Sequence, residues 1–196
     1  MRLLAVHVGR PRDVAQRGRI VRTAIFKEPV LFRVAVRRLN LDGDRQADLR
    51  VHGGPDKAVY AYDLGGYEYW RRELRVDFPF GQFGENLTVE GMPETEVHIG
   101  DAYRIGSAVL QVSQPRSPCF KLALKMERPA FLKAFLASGR TGFYFRVLEE
   151  GEIGVGDDIR LLSRESESVT VERMTRRLWP QTQPQPQPQP QRVERN

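Results

Sequence analysis

Short runs of β-branched or alternating apolar residues recur along this chain, and glycine-bearing turns separate them. Leu4, Val6 and Val8 alternate, as do Val34 and Val36, while Val59-Tyr60-Ala61-Tyr62 is a continuous β-prone run. Further strands are expected at Asn86–Glu90, Ala102–Ile105, Ala108–Ser113, Gly142–Leu148 and Asp158–Leu162. The turns fall at Asp42-Gly43, His52-Gly53-Gly54-Pro55, Gly65-Gly66, Gly91 and Gly106. Many short strands with few helices predict a mainly β (α+β) fold, a barrel or a sandwich. Ile99-Gly100-Asp101-Ala102-Tyr103-Arg104 echoes Val155-Gly156-Asp157-Asp158-Ile159-Arg160. Each is a Gly-Asp turn launching a strand with an outward arginine, too short to be an architectural repeat.

Helices are fewer. Tyr67, Trp70, Arg71 and Leu74 share one helical face after Asp63. A second helix is expected to start near Ser117-Pro118, where proline suits the first turn. A third runs from Pro129 to Ser138, with Phe131, Leu132, Phe135 and Leu136 as a core-facing stripe and Gly139 as the stop. After Leu162 comes a polar linker, Ser163 to Ser168, and Val169 to Leu178 can form one short strand or helix. From Trp179 to Asn196 the chain holds five of its 13 prolines, mostly as a Gln-Pro alternation with no periodic core, so disorder is expected there.

Several classes are excluded by what the sequence lacks. No apolar run approaches the ~20 residues of a spanning helix, so no membrane is expected. The start, Met1 to Asp13, does not read as a signal peptide. One cysteine, Cys119, forms neither an internal disulfide nor a multi-thiolate zinc site. A cytoplasmic location is the expectation. The net charge of +6 conceals an asymmetry: residues 1–40 hold ten Arg or Lys against Asp13 and Glu28, which is +8. A basic end can attract nucleic acid, anionic lipid or a phosphorylated ligand. No aromatic interleaving or nucleic-acid module accompanies it, so a solvated strand face is expected and nucleic acid is not.

Three segments carry candidate chemistry. Cys119 follows the apolar strand of Val109, Leu110 and Val112 and lies at an expected helix start, between Arg116 and Lys121. A helix N-terminus and two cations favour the thiolate, although a lone cysteine is often an inert buried hydrophobe. His52 lies in a loop rich in glycine and charge, Asp48 to Lys57; its two glycines let backbone amides approach an anion, with Arg50, His52 and Lys57 adding positive charge. The same pattern also suits a tight hairpin, and no Walker or GxGxxG pattern is present. His7 and His98 look structural or solvated. In Phe80 to Gly91, Asn86 either offers its amide to a ligand or caps a glycine turn.

Taken together, RVHGGPDKAVYAY (Arg50 to Tyr62), FGENLTVEG (Phe83 to Gly91), QVSQPRSPCFKL (Gln111 to Leu122) and SGRTGFYFRVL (Ser138 to Leu148) resemble the MOSC-domain family, in particular its stand-alone YiiM type. The resemblance implies a mixed, largely antiparallel β-barrel with a few peripheral helices over 1–162. It makes 163–178 a linker and the remnant of a C-terminal helical module, and 179–196 a disordered Gln/Pro tail. It implies molybdenum cofactor (molybdopterin), with Cys119 as metal ligand and catalytic residue. Arg50, Lys57, Arg116, Lys121 and Arg140 become cofactor contacts, and His52 and Asn86 catalytic residues that orient substrate or deliver protons. The implied activity is reduction of N-hydroxylated compounds, hydroxylaminopurines among them, by oxygen-atom abstraction, with electrons from a separate flavin or iron–sulfur donor. Pyridoxal phosphate is not expected. A cofactor carrier or a sulfur carrier without turnover is the alternative, and a monomer or homodimer the expected assembly.

Overall fold

The computed structural model describes residues 1–16, 18–47 and 53–180. The tail expected to be disordered falls almost wholly outside the described residues, as do Arg17 and the segment 48–52.

An eight-stranded sheet forms the body, in the order β13-β9-β10-β11-β7-β8-β1-β4. Its strands are β1 (Arg2–Val8), β4 (Glu28–Val30), β7 (Val59–Asp63), β8 (Leu87–Glu90), β9 (Ala102–Ile105), β10 (Ala108–Pro115), β11 (Phe143–Glu149) and β13 (Ile159–Ser163). Neighbours are antiparallel except β7 and β8, which are parallel. Parallel neighbours need a crossover, and helix α1 (Leu64–Leu74) supplies it. Asp63 starts that helix by accepting from the Gly65 N–H at 2.8 Å. A smaller sheet joins β12 (Gly151–Ile153), β5 (Val34–Arg37) and β6 (Asn40–Leu41), and β2 (Arg12–Gln16) with β3 (Arg19–Thr23) makes a ribbon of its own.

The body is mostly sheet with four helices, but the expected barrel does not close. Along its outer edge β1 pairs with β4 from Val6 to Val8, which leaves only Met1 to Leu3 to meet the far end of the sheet. Leu3 N–H donates to the Asp157 carbonyl at 3.0 Å, Gly156 N–H to the Leu3 carbonyl at 2.8 Å, and Ile159 N–H to the Met1 carbonyl at 3.0 Å. Among the described residues the two ends are thus joined by these bonds around an isolated bridge, Arg2 opposite Asp158, and not by a continuous strand ladder.

Strand β7 is buried on both faces. Val59 and Ala61 enter an aliphatic core with Leu3, Val6, Leu87, Leu110 and Phe143. Tyr60 and Tyr62 enter an aromatic core with Tyr67 and Trp70 of α1, Phe83, Leu122 of α2 (Phe120–Lys125), and Phe131 and Phe135 of α3 (Phe131–Ala137). The alternation of strand side chains sends one set to each core. Helix α4 (Val171–Leu178) lies in the stretch read as linker and remnant, yet Val171 is fully buried in the aliphatic core. Its N–H donates to the Val97 carbonyl at 2.8 Å.

Glu94 is buried near this helix and accepts from the Gly142 N–H at 2.8 Å. Burial pushes its carboxyl up to about 7, against the Gly142 amide and the Arg140 charge, which work the other way. A carboxyl whose folded pKa exceeds its unfolded value of 4.5 opposes folding as it ionises. The loss begins as pH rises above 4.5 and is complete above about 7, amounting to about 3 kcal/mol at most. The variant Glu94→Gln is therefore expected to flatten the decline in melting temperature between pH 4.5 and 7; an unaltered slope would show that other groups cause it.

Candidate functional site

One cleft gathers residues from distant stretches of the chain. It encloses roughly 680 Å³, open mouth included, and is lined by Thr23 to Ile25 and Lys27 after β3, Asp44 to Ala47, Gly53, Lys57, Tyr60, Gly84, Asn86, Arg116, Ser117, Cys119, Lys121 and Tyr144. Of the residues singled out from sequence, Lys57, Asn86, Arg116, Cys119 and Lys121 therefore meet in one place.

Arg116 is the central charge. It is 5% exposed, and its guanidinium carbon stands 4.7 Å over the Tyr60 ring and 5.8 Å from the Phe135 ring centre. Its Nη1 donates to the Tyr60 hydroxyl at 3.4 Å, and its backbone N–H to the Gly142 carbonyl at 3.1 Å. Burial opposes its charge, but the Tyr60 and Tyr144 hydroxyls and Cys119 around it outweigh that and keep its pKa raised. Among the described residues no carboxylate pairs with it. A buried guanidinium held by ring faces and phenols, with no carboxylate partner among the described residues, is suited to receive an anion.

Cys119 is half-buried at the N-cap of α2. That helix is only six residues long, so the dipole inferred from sequence is slight and the positive surroundings come from side chains. Burial pushes the Tyr144 hydroxyl up in pKa, with Arg116 opposing, so this phenol stays protonated beside the thiol. The 3-10 turn Pro55–Lys57 brings Lys57 to the lining of the same cleft. Asp56 fixes that turn: its carbonyl accepts from Ser113 Oγ at 2.5 Å and its carboxylate pairs with Arg146 at 2.9 Å. Gly53 and Gly54 have φ of 108° and 86°, a left-handed pair that side chains resist.

Asn86 belongs to the frame of the cleft. Its Oδ1 accepts from the Tyr60 N–H at 3.1 Å, and its Nδ2 donates to the His7 carbonyl at 3.2 Å and to Asp44 Oδ2 at 3.0 Å. Both amide hydrogens are thus engaged, and the substrate-orienting role expected of Asn86 has no donor left. Asp44, itself buried, also accepts from the Gly9 N–H at 2.7 Å and pairs with Lys27 at 2.5 Å.

Arg140, expected as a cofactor contact, lies apart from the residues that line the cleft. Its guanidinium rests instead 5.1 Å over the Tyr69 ring of α1, and its carbonyl accepts from the Tyr62 hydroxyl at 3.1 Å. Arg50 and His52 lie outside the described residues. Sequence reasoning missed Tyr60, Tyr144, Lys27 and Asp44. Tyr60 is legible as the polar-tipped member of a doubly buried strand. Lys27 was hidden among arginines read as a solvated face, although Ile25 and Phe26 immediately before it hint at burial.

A metal would find one soft donor in this cleft. Among the described residues no cluster of three His, Cys, Asp or Glu side chains can hold a bare ion. One thiol and a cationic wall fit an anionic complex that brings its own further ligands.

The MOSC domain family model matches residues 48–160, more than half of the chain, so the chain belongs to the MOSC domain family. It is 44% identical over 170 residues to the Bacillus subtilis protein YflK, covering 87% of this chain and 77% of that one. The crystal structure of YiiM from Geobacillus stearothermophilus superposes with a TM-score of 0.74 at 36% identity, covering 89% of this chain and 82% of that one. A Gibberella moniliformis protein named Reductase is 39% identical over 166 residues, which are 83% of this chain and 29% of that protein's length. Among the described residues, no helix is long and apolar enough to cross a membrane.

Two outcomes follow from the geometry. Asn86→Ala should destabilise the fold by about 2–3 kcal/mol in denaturant titration, since it removes the side-chain partner of the Tyr60 N–H, the His7 carbonyl and Asp44 Oδ2 together; a purely ligand-contacting Asn86 would leave stability unchanged. Millimolar sulfate should raise the melting temperature of the wild type but not of Arg116→Met. Equal shifts in both would remove Arg116 as the anion-receiving group.

Proposed function

We propose that this protein is a molybdenum-cofactor-binding oxidoreductase that reduces N-hydroxylated compounds of the hydroxylaminopurine kind. The carrying observation is the placement of Cys119 on the same cleft as a buried Arg116 that has no carboxylate partner among the described residues. Family membership and the fungal relative named Reductase support the oxidoreductase class.

When bound, the cofactor supplies two-electron oxygen-atom chemistry at molybdenum, with a pterin dithiolene as its further sulfur ligands. The chain's own residues do the rest. Cys119 contributes the protein's thiolate, for which Arg116 is a near cation. Lys57 and Lys121, which line the cleft, neutralise the cofactor phosphate together with Arg116. Tyr60 and Tyr144 keep the guanidinium in place and exclude water from it. The overall conversion consumes two electrons and two protons, breaks the N–O bond and releases amine and water. His52 and Arg50, which precede Gly53 in the chain, complete the proposed set as proton donor and anion contact.

The test uses protein expressed in a host that makes the cofactor. The wild type should carry molybdenum and reduce a hydroxylaminopurine with an artificial donor. Cys119→Ser should lose most of its molybdenum while keeping the wild-type melting temperature. Unchanged metal content in that variant would eliminate the ligand assignment, and metal without turnover would favour a cofactor carrier.

A further inference from the structure

Among the described residues, the ribbon of β2 and β3 is bonded to no other strand. Its five paired positions, from Arg12 opposite Thr23 to Gln16 opposite Arg19, bury only Thr23 fully. A two-stranded hairpin with so little core is marginal by itself, and its surface is unusually charged. Arg10, Arg12, Arg19 and Arg22 are exposed around it, against the single carboxylate Asp13, a balance of four minus one, or +3. Between Arg19 and Arg22 stands Ile20, 76% exposed.

The ribbon's root is tied to the cleft. Arg12 lies 4.1 Å over the Phe26 ring, and Thr23, Ala24 and Ile25, which continue from β3, form part of the cleft lining. Arg45, Lys57 and Lys121 extend the positive surface along the same opening. A partner drawn to the ribbon is therefore brought to the mouth of the cleft.

We infer that this ribbon is the docking arm for a small acidic electron-carrier protein. The inference rests on the reductase reading: each turnover needs two electrons, and a chain with one cysteine holds no iron–sulfur cluster to supply them. The carrier gives up its electrons in single steps, two per N–O bond broken, while two protons from solvent complete the amine and water. A protein partner fits better than nucleic acid. The ribbon has no aromatic side chain on which bases stack, whereas an exposed isoleucine, with Arg22 two residues along on the same strand face, offers an apolar anchor within a steering field.

The test uses a flavodoxin and a plant-type ferredoxin as acidic probes, and a short single-stranded oligonucleotide as the competing class. At least one carrier should bind the wild type with an affinity that falls as salt rises. The double variant Arg10→Glu/Arg19→Glu should weaken that binding about tenfold or more, and Ile20→Ser should weaken it with little change in salt dependence. Turnover of loaded enzyme with reduced methyl viologen should be the same in all three proteins. If neither carrier binds, if the oligonucleotide binds more tightly, or if the arginine reversals leave carrier affinity unchanged, the docking arm is refuted. If carriers bind as described but viologen drives no reduction, the reductase reading fails and the acidic-protein surface stands.

Discussion

Enclosing β7 on both faces sets the terms for everything around it. Its aliphatic side chains fill one core, but Tyr60 and Tyr62 carry hydroxyls into the other, and a buried hydroxyl needs a partner. Tyr60 donates to the Thr141 carbonyl at 2.8 Å, while Tyr62 donates to the Arg140 carbonyl and accepts from Trp70 Nε1 at 2.9 Å. Those bonds hold the loop before β11 against the strand. Gly142 in that loop has φ of 68°, and a Cβ there would come within 2.4 Å of the Ala61 carbonyl, so only glycine fits. The Gly142 carbonyl then receives the Arg116 N–H, and Arg116 stands three residues before Cys119. The thiol is thus positioned by a chain of constraints that begins in the middle of the sheet.

Electrostatics follow from the same packing. Arg116 is removed from water yet surrounded by π faces and phenols, which soften the desolvation cost without neutralising the charge. Lys125, just outside the lining, is pushed down to about 8 by burial despite Glu85 nearby, and it donates to the Gly81 and Ile25 carbonyls. The floor of the cleft spends its polar groups differently. Asp44 bonds both Asn86 and Lys27, so these three build the vessel and leave the binding to Arg116, Lys57 and Lys121.

Much of this was legible in the sequence, and what was not has physical reasons. The β-prone run at Val59 to Tyr62, the segment at Ala102 to Ile105 and the helical stripe of Phe131 and Phe135 all rest on side-chain periodicity, which local sequence carries directly. For Arg12 to Thr23 only a solvated, arginine-bearing strand face was legible; the bounds of β2 and β3 were not, because Val14-Ala15 and Ile20-Val21 are adjacent apolar pairs that give no alternation with the charges. Closure of the sheet was likewise invisible, since it depends on which edge of β1 is still available after β4 binds. That Cys119, Arg116 and Lys57 share one cleft was foreshadowed by the clustering of chemistry-bearing residues within short motifs. Asn86 and Arg140 sat in equally distinctive motifs, yet structural demands consume the one and an aromatic ring diverts the other.

The meeting of Met1 to Leu3 with Asp157 to Ile159 has a mechanical meaning. A sheet whose margins touch through a handful of amide bonds behaves as a sleeve with a short unsewn seam. Loosening there would reach β1 first, and through the bonds between His7 and Asn86 the frame of the cleft. Hardware attached ahead of Met1, such as a rigid fusion partner, would pull on that seam before it disturbed the thiol.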